Sequence, residues 1–86
     1  MNQETLERFE RARVARDQAI GELQTAIDNL INSSDLNDRR YVLVAVGSLS
    51  ALQRARNQAW ADYLKAEEQL IRQLNQGMFA GEHRSG

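Results

Sequence analysis

Eighty-six residues with 11 basic and 12 acidic side chains, a formal net charge of -1 and no proline or cysteine confine the chain to one small domain with a modest core. The charge balance excludes a global field for nucleic acid or an anionic membrane, and the lack of cysteine excludes disulfides, thiolate metal sites and thiol nucleophiles. With 42% apolar residues recurring at regular intervals, the chain is also too apolar to be wholly disordered.

Met1 reads as an initiator, and the opening "MNQETLERFERAR" is polar and acidic where a cleaved signal would be apolar. No stretch approaches the roughly 18 apolar residues of a membrane span. A cytoplasmic location is expected, or export by a route that leaves no cleaved signal. Asn2 is positioned to cap a first helix over residues 3–32, with Glu4 and Glu7 near its positive end. In heptad terms Leu6, Arg13, Ile20 and Ile27 fall at a, Phe9, Arg16, Leu23 and Leu30 at d, and Thr5, Ala12, Ala19 and Ala26 at g.

The cluster "NSSDLND" supplies a turn over residues 33–37, with Asp35 or Asn37 expected to cap the following helix. Next comes "YVLVAV", residues 41–46, whose β-branched content suits a strand. A lone strand would have no partner within the chain, however, and helical spacing continues through Leu49, Leu52, Ala55, Ala59, Tyr63, Ala66, Leu70 and Leu74. The second helix is therefore expected over 38–76. Gly77 is expected to end it as a C′ residue, leaving 77–86 as a flexible tail.

Two pentapeptides, "ARDQA" from Ala15 and "ARNQA" from Ala55, lie forty residues apart. The same shift lays Phe9 on Leu49, Ile20 on Trp60, Leu23 on Tyr63 and Leu30–Ile31 on Leu70–Ile71. Either a duplicated helix or the shared composition of two seam-forming helices produces such a match. The predicted fold is all-α, an antiparallel hairpin of two long helices in one domain, residues 1–76. Its stripes are too wide for two helices to cover, so it is expected to dimerise into a four-helix bundle.

With the turn centred near Asp35, residues whose numbers sum to about 71 face each other. Arg13, Arg16, Arg54 and Arg56 then share one level as an arginine belt. Leu6, Phe9, Ile20, Leu23, Ile27, Leu30, Leu49, Leu52 and Leu70 form the hairpin or dimer seam. Ile71, Leu74, Met78 and Phe79 overhang the first helix and, with Trp60 and Tyr63, are the candidate partner-binding residues.

Catalytic chemistry is not expected. The single histidine, His83, falls in the predicted tail, Glu67 and Glu68 are adjacent and so diverge on a helix, and Ser33, Ser34, Ser48 and Ser50 have no neighbouring base. No metal-ligand spacing or phosphate-cradling glycine loop occurs, so no metal, cofactor or catalytic residue is assigned. Gly21 and Gly47 interrupt helical segments, and Gly47, beside Val46 and Leu49, is expected to permit a close crossing. These features predict a non-enzymatic interaction module, a small regulator or inhibitor that occludes a partner protein whose identity the residues do not specify. A self-assembling structural subunit or small export chaperone is the alternative, and nucleic-acid binding through the arginine belt comes third, without supporting recognition motifs.

Overall fold

The computed structural model describes residues 3–85, with side-chain environments for residues 3–77. Two helices, α1 (Gln3–Ile31) and α2 (Arg39–Ser85), pack against each other as a hairpin 71 Å long and 17 × 16 Å across. Residues 41–46 are helical. Their β-branched character yields to a 3–4 spacing that continues unbroken into the rest of α2, with Val42 and Ala45 turned inward while Leu43, Val44 and Val46 are exposed.

Hydrogen bonds between Asn32 N and Asp28 O and between Ser33 N and Leu30 O close α1. Ser33 Oγ then accepts from Asp35 N, and the Asp35 carbonyl accepts from Asp38 N, so the reversal is built from local side-chain and backbone bonds. The cap of α2 is Asp38 rather than Asp35 or Asn37. Its Oδ1 accepts from the backbone N–H groups of Arg40 at 3.0 Å and Tyr41 at 3.3 Å, the second and third positions of α2, where free donors await an acceptor. Asn2, the expected cap of α1, lies outside the described residues.

The expected stop at Gly77 is not found. α2 continues to Ser85, and no described glycine has positive φ, the backbone geometry a C′ glycine would need. Without proline beyond it, Gly77 is merely a weak helical residue. Gly47 does not mark a close crossing either, because a Cβ added there or at Gly21 would meet no atom within 4 Å.

Burial fixes the phase of the seam. In α1 the inward positions are Thr5, Phe9, Ala12, Arg16, Ala19, Leu23, Ala26 and Leu30; in α2 they are Ala45, Leu49, Leu52, Arg56, Ala59, Tyr63, Ala66 and Leu70, extended by Val42 and Gln73. Every α1 seam residue thus has its counterpart forty positions on, and the two halves are related by an approximate two-fold axis. These are the d and g positions, so the centre of the seam is rotated from the a/d line. The small alanines at g allow the backbones to approach, and the bulkier residues at a move to its edge.

Phe9 and Tyr63 meet with ring centroids 5.5 Å apart, and 9 and 63 sum to 72, so the expected register holds. Leu23 and Leu49 line one hollow at the same register. Continued by the 3–4 spacing, it sets Thr5 at the level of Ala66, Ala12 at Ala59, Arg16 at Arg56 and Ala26 at Ala45. The resulting core is slight: Leu23 at 6% and Ala66 at 5% exposure are the buried apolar residues, and no large side chain is fully enclosed among those described.

Candidate functional site

Seam geometry divides the rest of the hairpin into two unlike flanks. An antiparallel pair places the a and e positions of both helices on one side of the seam and the c positions of both on the other. On the c side stand Arg8, Glu22 and Asn29 of α1 with Ser48, Asp62 and Gln69 of α2, all exposed. There Gln58 Nε2 donates to Asp62 Oδ1 at 3.0 Å, and Arg72 pairs with Glu68 at 2.9 Å further round α2.

The a/e side is different. Of the exposed large apolar residues, Leu6, Ile27 and Ile31 of α1 and Leu43, Val46, Trp60, Leu64, Ile71 and Leu74 of α2 all lie on it, with half-buried Ile20 between them. Only Val14, Leu36, Tyr41 and Val44 fall elsewhere. The flank is apolar at its two ends and polar in the middle, where Arg13, Asp17, Gln24, Ser50, Gln53 and Asn57 interrupt it. Together its nine exposed apolar side chains offer roughly 800 Å², about what one partner contributes to a stable interface of ordinary size.

At mid-length the seam contains two arginines. Arg16, its side chain only 19% exposed, donates from Nε and Nη2 to Asp17 Oδ1 at 3.1 and 2.9 Å. Its guanidinium carbon lies 4.1 Å from the Tyr63 ring centroid and 5.2 Å from that of Trp60, geometry that favours cation–π attraction. The hydrogen bond to Asp17 raises the Arg16 pKa above its ordinary value against the opposing effect of desolvation, so the side chain stays charged. Tyr63 is itself fixed by donating to Glu67 Oε2 at 3.1 Å and by packing on Trp60, centroid to centroid 6.2 Å.

Arg56, the counterpart of Arg16, has no such company. The shift of forty converts Asp17 to Asn57, and Arg56 donates to the Asn57 Oδ1 amide oxygen at 3.3 and 3.1 Å. No ion pair involves Arg56 among the described residues. It borders an open hollow of about 450 Å³ with Ile20, Asn57 and Trp60 on the a/e flank.

The predicted site residues therefore separate. Tyr63 belongs to the hairpin seam. Trp60, Ile71 and Leu74 lie on the apolar flank, and the side chains of Met78 and Phe79 are outside those described. Phe9, Leu23, Leu30, Leu49, Leu52 and Leu70 form the hairpin seam, whereas Leu6 and Ile27 lie on the flank beside it and Ile20 borders both. The four arginines share a level but face different ways: Arg13 pairs with Glu10 at 2.6 Å on the flank, Arg54 is outward, and Arg16 and Arg56 enter the seam. They make no continuous cationic surface. At the open end of the hairpin Glu4, Thr5 and Arg8 of α1 border one hollow with Gln69, Arg72, Gln73 and Gln76 of α2. Ile71 and Leu74 face the apolar flank, and at a register of about 72 they lie beyond Gln3, the first described residue of α1.

Leu43, Val46, Leu64 and Ile31, absent from the predicted site, complete the apolar flank. Their signal is present in the sequence as the heptad positions adjoining a d/g seam. Among the described residues no cluster of histidine, aspartate or glutamate is arranged to hold a metal ion, and no helix is long and apolar enough to cross a membrane.

By fold the chain is an all-α helical hairpin with one apolar flank. No family model, curated protein or solved structure matches it.

Proposed function

We propose that the chain is a non-catalytic protein–protein interaction module. In this reading two hairpins join on their apolar flanks as a four-helix bundle, and the homodimer acts as a small regulator or inhibitor that covers the surface of a partner protein. The observation that carries it is the placement of nine large apolar side chains on one flank of a hairpin that encloses almost none. Monomeric proteins rarely leave so much large apolar side chain gathered on one face in water, and two such flanks can cover each other.

Light scattering on chromatographed protein over a range of concentrations tests the proposal, with a Trp60→Glu, Leu64→Glu variant alongside. The wild type is expected to have twice the chain mass, and the variant to be a helical monomer. A wild type that stays monomeric up to the highest soluble concentration would refute the dimer. The length of α2, 47 residues against 29 in α1, favours a second reading. There the projecting end of α2 joins dimers into a larger assembly, and the measured mass grows with concentration instead of stopping at two chains.

A further inference from the structure

We infer that the second copy lies with its turn at the same end as the first, and that its Asp17 supplies the carboxylate that Arg56 lacks. This inference rests on the homodimer proposed above and specifies its arrangement.

Two symmetric ways exist to lay one apolar flank on another. If the two-fold axis runs along the bundle, both turns lie at one end and α1 of each copy covers α2 of its partner. If the axis runs across the bundle, the turns lie at opposite ends, α1 covers α1 and α2 covers α2. Both keep neighbouring helices antiparallel and bury the apolar ends, so hydrophobic area alone does not choose between them. The polar middle does.

In the same-end arrangement the e positions of α1 meet those of α2 at their own levels. The e positions that face each other sum to 74, within one half-turn of the seam register of 72: Glu10 meets Leu64, Ile31 meets Leu43, Gln24 meets Ser50, and Asp17 meets Asn57. Apart from Glu10, which keeps its ion pair with Arg13 beside Leu64, apolar faces apolar, amide faces hydroxyl, and the carboxylate of Asp17 arrives beside the amide that holds the Arg56 guanidinium. Asp17 is suited to bridge two arginines, because both hydrogen bonds from Arg16 end on Oδ1 and its side chain is 61% exposed. A cation enclosed without a carboxylate would be costly, so this contact converts a penalty of dimerisation into a charge-assisted bond.

The opposite-end arrangement has the reverse effect. To bring the apolar turn end of one copy onto the apolar open end of the other, the axis must cross near the Arg16–Arg56 level. Asp17 then faces Asp17 and Arg56 faces Arg56. Like charges juxtaposed in an interface disfavour that pairing and select its competitor.

Distance measurement between two spin labels on the full chain decides the matter. The protein has no cysteine, so Ser34→Cys gives one label in each turn. Same-end packing predicts a separation below about 25 Å from the spacing of helices in a bundle, and opposite-end packing about 55 Å, twice the rise of the roughly 18 residues between the Arg16–Arg56 level and Ser34. A single short distance together with a dimeric mass supports the inference. A dimer with a long or mixed distance overturns it while leaving the proposed homodimer intact, and a monomer overturns both.

The contact itself is tested by Asp17→Asn, which is expected to raise the dimer dissociation constant by about a hundredfold, about tenfold for each of the two symmetry-related charge pairs it removes. Glu10→Gln, which likewise removes an ion pair within α1 but lies opposite Leu64 in the same-end dimer, is expected to leave the constant within about twofold. Equal effects of the two changes would overturn the role of Asp17.

Discussion

Gly21 and Gly47 lie well inside their helices, have no positive φ and point an absent Cβ into open space. Replacing either with alanine therefore adds no contact and removes none; it reduces the backbone freedom of the unfolded chain and shields the helix from competing solvation. The gain per site is about 1 kcal/mol, the difference in helix propensity between the two residues. The sites lie on different helices with no shared neighbour, so the double variant gains about 2 kcal/mol. For a domain of this size that raises the thermal midpoint by roughly 10 °C. Circular dichroism melts and urea titrations check it, at matched protein concentration because dimerisation links the midpoint to concentration. The urea slope is expected to stay constant. A destabilising effect at either position would refute the reasoning, since it would mean that another atom occupies the space beside that glycine in solution.

Asp38→Ala removes both cap bonds of α2 and is expected to cost about 1 kcal/mol, read as a lower urea midpoint with an unchanged slope. Phe9→Ala deletes a half-buried ring packed on Tyr63 and is expected to cost about 2–3 kcal/mol, below the value for a fully buried phenylalanine. Arg16→Lys keeps the charge but loses the planar stack on Tyr63 and Trp60, so the thermal midpoint falls, whereas Arg11→Lys, on an exposed position, leaves it unchanged within error.

The hairpin, its register and the helical state of residues 41–46 are legible in the sequence, because a single turn cluster and uninterrupted 3–4 spacing leave little else for the chain to do. The phase of the seam is not. Large residues at a and d draw the eye to Leu6, Ile20 and Ile27, yet the helices close on the line where alanine alternates with larger side chains. Backbone approach is gained there without sacrificing the bulkier residues, which stay available on the flank. Cap choice at Asp38 depended on where the first helical turn begins, a matter of one to three residues that composition does not resolve. Gly77 fits the pattern of a helix stop, but a glycine ends a helix only when the backbone adopts the left-handed turn, and α2 does not. The inequality of the two arginines was visible in "ARDQA" and "ARNQA", and only the fold shows that their one difference is the partner of each guanidinium.

Correspondence between the seam residues of α1 and α2 bears on how the chain chooses its own partner helix. Because each inward position recurs forty residues later, and half of them carry the same residue, the seam offers α1 a similar surface whether it meets α2 or another α1. What makes the pairing intramolecular is the tether, residues 32–38, which holds the two strips at an effective concentration in the millimolar range. Cut there, the halves would become competitors for one another, free to form mixed and like pairs alike. Fidelity of assembly in this chain thus resides in the six polar residues around Leu36 more than in the surfaces they bring together.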